Sequence, residues 1–217
     1  MDSEDGLQLV QSVPGFKTRG MLICVSGPSG VGKGTVIAQL KEIMPGLTHS
    51  VSLTTRSPRP GEVDGKDYYF CTKERFEELL EEDAILEHDI YVGNYYGTPR
   101  QAIEDKVSEG QDVIMDVTVP GSLVILYKYE QACSIFLLPP SLSVLRERLE
   151  KRGTETSDII NSRLLKAVDE VEMASKFDYI VINQDQRKAA EEIRHIIYAE
   201  KLRQARRSGI EQMILKR

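Results

Sequence analysis

Short apolar runs separated by stretches of helical period organise this chain. Met21-Leu22-Ile23-Cys24-Val25 is continuous and apolar. After a glycine-rich turn it is followed by Val36-Ile37-x-x-Leu40, spaced as one face of a helix. Similar runs recur at Asp112-Val113-Ile114-Met115-Asp116-Val117, Cys133-Ser134-Ile135-Phe136-Leu137-Leu138 and Tyr179-Ile180-Val181-Ile182, each leading into a helical pattern. Continuous rather than alternating runs predict parallel strands covered by helices on both faces, the three-layer arrangement of an α/β core. Between residues 50 and 98 the texture changes to Val51-x-Leu53, Tyr68-Tyr69-Phe70, Ile85-Leu86 and Asn94-Tyr95-Tyr96-Gly97. That segment predicts a small mixed α/β insertion whose strands are antiparallel. From Arg187 to Arg207, Ala190, Ile193, Ile197, Ala199 and Leu202 recur at helical spacing, predicting a docked helix ahead of a tail at 208–217.

Arg146-Glu147-Arg148-Leu149-Glu150-Lys151-Arg152-Gly153-Thr154-Glu155-Thr156 ends a helix in a polar loop, and a second helix follows from about Asp158 with Arg163 on it. Two helices about an arginine-rich hinge predict a lid over about 148–165. Residues 1–20 are polar, aperiodic and include Pro14-Gly15, so they predict a flexible leader without chemistry. The core is expected over 21–49 and 99–207, with the insertion at 50–98.

A chain of 217 residues suits one folding unit with appendages. Net charge of −6 and a pI near 5.3 argue against nucleic-acid binding and favour a small-molecule partner. Cys24, Cys71 and Cys133 are odd in number and widely spaced, the usage of free thiols in a reducing compartment. With no signal-peptide pattern and no run near the ~18 apolar residues of a membrane span, a soluble, cytoplasmic protein is expected.

The chemistry is clearest at Gly27-Pro28-Ser29-Gly30-Val31-Gly32-Lys33, between the first strand and the first helix. Glycines let the backbone curl so that successive N–H groups face phosphate oxygens; the helix N-terminus adds partial positive charge and Lys33 a full one. A nucleoside triphosphate is the expected ligand. Gly34 stands where Ser or Thr usually supplies a hydroxyl to magnesium, so Thr35 or water must take that place.

Three further motifs extend this pattern. Val51-Ser52-Leu53-Thr54-Thr55-Arg56-x-Pro58-Arg59-x-Gly61-Glu62-Val63-Asp64-Gly65-Lys66-Asp67-Tyr68, Gly93-Asn94-Tyr95-Tyr96-Gly97-Thr98, and Arg152-Gly153-Thr154-Glu155-Thr156 with Arg163 are similar to the two GMP-binding motifs and the lid of guanylate kinases. From Met21 to Arg207 the chain resembles a bacterial-type guanylate kinase. The resemblance implies a P-loop kinase core, with ATP and Mg2+ on one side and GMP or dGMP on the other. ATP would be held by Gly27, Pro28, Ser29, Gly30, Val31, Gly32, Lys33, Gly34 and Thr35, with Asn183 on the donor nucleoside. Arg56, Arg59, Tyr68 and Tyr96 would hold the acceptor phosphate, matching a dianion with two guanidinium forks and two hydroxyls. Glu87, helped by Ser52 and Thr98, would read guanine, whose N1–H and amino group offer two adjacent donors that adenine lacks. Lys33, Arg148, Arg152 and Arg163, the arginines carried in by lid closure, would stabilise the migrating phosphoryl group. Asp116 would organise magnesium through water.

One stretch departs from the family. After the second core strand the usual pattern is acid, x, acid, x, Gln, Gly, whereas here it reads Asp116-Val117-Thr118-Val119-Pro120-Gly121. The second acid lies by the guanine pocket in the family, so Thr118 implies weaker guanine discrimination. Two other readings remain open: a non-catalytic module binding a phosphorylated peptide, and a related kinase of another phosphorylated small molecule. The sequence leaves monomer or homo-oligomer undecided.

Overall fold

The protein is described by a computed structural model covering residues 14–16, 18–91, 93–151 and 156–215. Its elements in chain order begin with β1 (Leu22–Ser26), α1 (Lys33–Ile43), β2 (Thr48–His49), β3 (Leu53–Thr54), β4 (Tyr69–Phe70) and α2 (Lys73–Glu81). There follow β5 (Ile85–Tyr91), β6 (Asn94–Pro99), α3 (Arg100–Ser108), β7 (Val113–Asp116), α4 (Val119–Lys128) and β8 (Cys133–Leu138). The chain continues through α5 (Leu142–Lys151), α6 (Ser157–Glu172), β9 (Tyr179–Ile182), α7 (Gln186–Lys201) and α8 (Ile210–Leu215).

The described residues form a five-stranded parallel sheet in the order β2-β7-β1-β8-β9. Its centre follows the apolar runs. On β1, Ile23 and Val25 pack with α1 and α7 through Val36, Leu40, Ala190 and Ile193, while Leu22 and Cys24 pack on the other face with Ile103, Val107 and Ile125. Both faces are covered there, as expected. At the β9 edge they are not: Val181 is buried, but Ile180 and Ile182 are 54% and 55% exposed. The sheet also gains β2, too short to leave an apolar run.

The 50–98 insertion holds a second sheet in the order β4-β3-β6-β5. β3, β6 and β5 pair antiparallel, but β4 joins β3 in parallel, so the expectation of a purely antiparallel insertion is corrected. Its small core is Leu53, Phe76 and Ile85, with Tyr95 stacked on Phe76. Helix α7 forms, but its inward stripe differs at the C-terminal end. Ala199 and Leu202 are exposed and Glu200 is 2% exposed. A helix of 3.6 residues per turn carries the Ile193, Ile197 row on to position 200, not to 199 or 202. The buried Glu200 carboxylate is satisfied by the Tyr179 hydroxyl at 2.6 Å and by Arg203 and Arg206 at 3.2–3.3 Å. No described helix is long and apolar enough to cross a membrane.

Candidate active site

The loop between β1 and α1 folds as its glycines require. Gly32, the residue before α1, has φ of 99°, and a Cβ there would lie 2.8 Å from Asn183 Nδ2; one on Gly27 would meet Leu137 O at 2.3 Å. Any larger residue would push the loop off the sheet. Lys33 reaches back, its Nζ donating to Gly27 O at 3.1 Å and standing 3.8 Å from Asp116 Oδ1 at the end of β7. Burial raises the Asp116 pKa, opposed by Lys33 and by His49 on β2.

Asn183 and Arg148 support this loop from below. Asn183 is 1% exposed, its Nδ2 donating to Val31 O at 2.7 Å, and its Oδ1 is buried without a hydrogen-bond partner. Arg148 on α5 donates to Val31 O at 3.0 Å and to Asn183 O at 2.7 Å. Arg148, expected to come in with the lid, has its guanidinium tied in this structure to the shoulder of the phosphate loop. Arg163 is half-buried on α6 and does not line the cavity described below; Arg152 lies outside the described residues.

Of the two alternatives expected beside the metal, Thr35 or water, Thr35 is exposed on the first turn of α1. A Cβ on Gly34 would point at Asp116, 3.9 Å from Oδ2. Thr35 is one residue further on in the helix, about 100° round the axis. Among the described residues no cluster of three or more His, Cys, Asp or Glu is placed to hold a metal ion. One carboxylate beside a phosphate cradle, completed by water and phosphate oxygens, is nevertheless a ligand set Mg2+ accepts, and Asp116 fits it.

Across from the loop, the insertion closes a cavity of about 390 Å3. Gly27, Ser29, Lys33 and Asp116 line one side; Ser52, Arg56, Arg59, Tyr68, Glu87, Tyr96 and Thr118 are among the residues lining the rest, with Lys166 and Glu170 contributed by α6. Thr98 stands behind Glu87, donating its hydroxyl to Oε1 at 2.6 Å. Glu87 owes its direction to a bulge: between Ile85 and His88 the β5 strand advances three residues while β6 retreats two, from Pro99 to Gly97. Such an extra residue re-aims a side chain. Glu87 is 8% exposed, and burial raises its pKa, with the Thr98 hydrogen bond opposing and Asp89 adding to the rise.

Thr118 is also the N-cap of α4, its Oγ1 accepting from Gly121 N at 3.3 Å, and Pro120 occupies the first turn, where a missing N–H costs nothing. Both departures from the family pattern thus make local sense. A larger cavity, about 570 Å3, lies near Leu22, Ile103 and Ala132. Several of its polar groups are engaged within the protein: Tyr129 with Glu104, Arg206 with Gln131 O and Lys128 with Leu86 O.

The guanylate kinase family model matches residues 19–200. The chain belongs to the guanylate kinase family. It is 45% identical over 190 residues to a guanylate kinase of Halalkalibacterium halodurans, covering 88% of this chain and 93% of that one. It is 48% identical over 188 residues to one of Lactococcus lactis, covering 87% and 92%. The crystal structure of guanylate kinase from Anaplasma phagocytophilum superposes with a TM-score of 0.76 at 33% identity, covering 93% of this chain and 96% of that one.

Three carboxylates lining the site of this guanylate kinase family member, Glu62, Asp89 and Glu170, were not singled out from sequence. Glu62 receives both Nη groups of Arg56, at 2.8 and 2.9 Å, and the Arg59 backbone N–H at 2.7 Å. Glu62 keeps Arg56 firmly protonated, and Arg56 in turn lowers the Glu62 pKa. The fork expected to be open for phosphate is thus engaged. Glu170 on α6 accepts from Ser29 N at 3.3 Å and pairs with Lys166 at 3.8 Å. Its signal was present, since 163, 166 and 170 follow helical spacing and share one side of α6.

Proposed function

We propose that this protein transfers the γ-phosphoryl group of ATP to GMP or dGMP, giving ADP and GDP or dGDP. The observation that carries this reading is the single cavity in which the Lys33 cradle faces both Arg56 and Glu87. Its volume lies in the range of small-molecule sites. In this reading residues 50–98 are the GMP-binding subdomain, 21–49 and 99–207 the core, and about 148–165 the lid; the protein works in the cytoplasm.

The loop amides and Lys33 hold the donor phosphates, and Asn183, which props Val31 O beneath the loop, shapes the donor-nucleoside side of it. Arg56 and Arg59 with the Tyr68 and Tyr96 hydroxyls fix the acceptor phosphate, which competes with Glu62 for Arg56. Glu87 accepts from guanine N1–H and the 2-amino group, with Ser52, Thr98 and Thr118 completing the pocket. Phosphoryl transfer asks for positioned positive charge more than for a base. Lys33 supplies it, and Arg148, Arg152 and Arg163 would add to it as the lid closes and excludes the water that would otherwise hydrolyse ATP. Mg2+, held beside Asp116 largely through water, would neutralise charge on the donor phosphates.

A peptide-binding module would not need a complete phosphate loop opposite its monophosphate pocket, and a sugar-phosphate kinase would not need Glu87 buried against Thr98. Steady-state ADP release, measured with ATP, Mg2+ and each of GMP, dGMP, AMP, UMP and CMP beside a Lys33→Ala control, tests the reading. Turnover with the guanine nucleotides, lost in the control, is expected. No turnover with any monophosphate would overturn it.

A further inference from the structure

The position of Glu87 depends on a residue with no side chain. Its Oε1 is held by Thr98, while its Oε2 lies against the first turn of α4 at Gly121. A Cβ on Gly121 would stand 2.4 Å from Oε2, 3.2 Å from Glu87 Cδ and 3.2 Å from Thr118 Oγ1. The first of these is a separation real Cβ atoms essentially never show. Backbone conformation does not require glycine here, because Gly121 is not among the residues with positive φ and lies within an ordinary helix. What the position requires is space.

The helix and the Glu87 backbone are both anchored, so the carboxylate is the group that would have to move. Helix α4 is fastened to β5 at its far end by Lys128 Nζ donating to Leu86 O at 3.1 Å, and its buried Ile125 packs in one cluster with Leu86. On the other side, the Glu87 backbone runs close to β6, where a Cβ on Gly97 would be 3.0 Å from its carbonyl oxygen, and the carboxylate itself is held by Thr98. The carboxylate is therefore gripped between a hydroxyl on one strand and a bare patch of helix.

We propose that Gly121 is a positioning residue for base recognition: its missing side chain sets how far the Glu87 carboxylate reaches, and so how well the site senses the 2-amino group of guanine. The inference rests on the reading of Glu87 as the group that meets the base.

The test uses four proteins, the wild type, Gly121→Ala, Glu87→Asp and the double variant. Each is titrated calorimetrically with GMP and with IMP, which lacks only the 2-amino group, and each is assayed for ADP release. In Gly121→Ala the preference for GMP over IMP is expected to fall by roughly tenfold or more, through a higher Kd for GMP, with the KM for ATP unchanged. In the Glu87→Asp background the carboxylate is withdrawn by about 1.5 Å, one C–C bond. Adding Gly121→Ala there is expected to change the preference by less than about twofold, because the overlap is gone.

An unchanged preference in folded Gly121→Ala, or the same loss in both backgrounds, would overturn the inference. If Gly121→Ala does not fold but the double variant does, the carboxylate is the group in the way and the inference stands. If neither folds, the space serves packing alone and the inference falls. Wild-type protein that binds GMP without turning it over would refute the proposed activity while the Kd ratios still decide the role of Gly121. Wild-type protein that does not bind GMP would remove both.

Discussion

Replacing Glu87 by Gln should move activity and stability in opposite directions. The carboxylate is 8% exposed, receives one hydrogen bond from Thr98, and has its pKa raised chiefly by burial. A group whose pKa is higher in the folded than in the unfolded state gives stability that is fully present below the unfolded value and is lost as pH rises through the folded value. At neutral pH the ionised Glu87 therefore costs the empty protein stability, and Gln removes that cost. Guanine, however, would bring two donors to this acceptor. If the amide oxygen keeps Thr98, the amide NH2 faces those donors. Hydrogen bonds to a charged acceptor are each worth about 1.5–3 kcal/mol, so losing two costs about 3–6 kcal/mol, or about 10²–10⁴ in kcat/KM for GMP. Thermal melts from pH 4 to pH 8 should show Glu87→Gln gaining on the wild type as pH rises. The wild-type profile of kcat/KM for GMP should carry an acid limb above the ordinary glutamate range that the variant lacks. A variant less stable than wild type at pH 8, or one keeping kcat/KM within about tenfold, would refute the reasoning.

Thr118→Asp keeps the helix cap, since Asp caps as well as Thr, but sets a second carboxylate beside Glu87, so the empty protein should lose stability as pH rises. It should tighten GMP by about 1.5–3 kcal/mol, and no gain in titrated affinity or in selectivity over AMP would count against a guanine-facing Thr118. Gly34→Ser places a hydroxyl on the side of α1 facing Asp116, so the Mg2+ concentration for half-maximal ADP release should fall by roughly two- to tenfold; a rise would mean that position does not face the metal. Asn183→Ala removes the donor to Val31 O from a fully buried position. Val31 O keeps its bond from Arg148, so denaturant unfolding should show a loss of about 0.5–1.5 kcal/mol, and kinetics a higher KM for ATP with that for GMP little changed.

The core was legible where the chain repeats one physical cause. Continuous apolar runs named β1, β8 and β9, and a glycine loop between a run and a helical face named the phosphate cradle. Legibility failed where structure comes from distant partners. The exposure of Ile180 and Ile182 follows from β9 lying at an edge, which a run of four apolar residues does not reveal. Ala199 looked apolar enough to be inside, but helix phase chose Glu200 and enclosed it with Tyr179 and two arginines. At the site, residue types were readable while their engagements were not: Arg56 on Glu62, Arg148 on Val31 and Asn183, and Ser29 on Glu170. The bulge that aims Glu87 has no composition signal, since it exists only in the pairing of β5 with β6.

The central claim is that one cavity brings donor and acceptor phosphates together for direct transfer. ATP labelled at the γ-phosphorus, incubated with the protein, Mg2+ and GMP, should deliver its label to the β-phosphoryl of GDP, in amounts equal to the ADP formed. Label appearing as inorganic phosphate, with GMP unchanged, would contradict that claim.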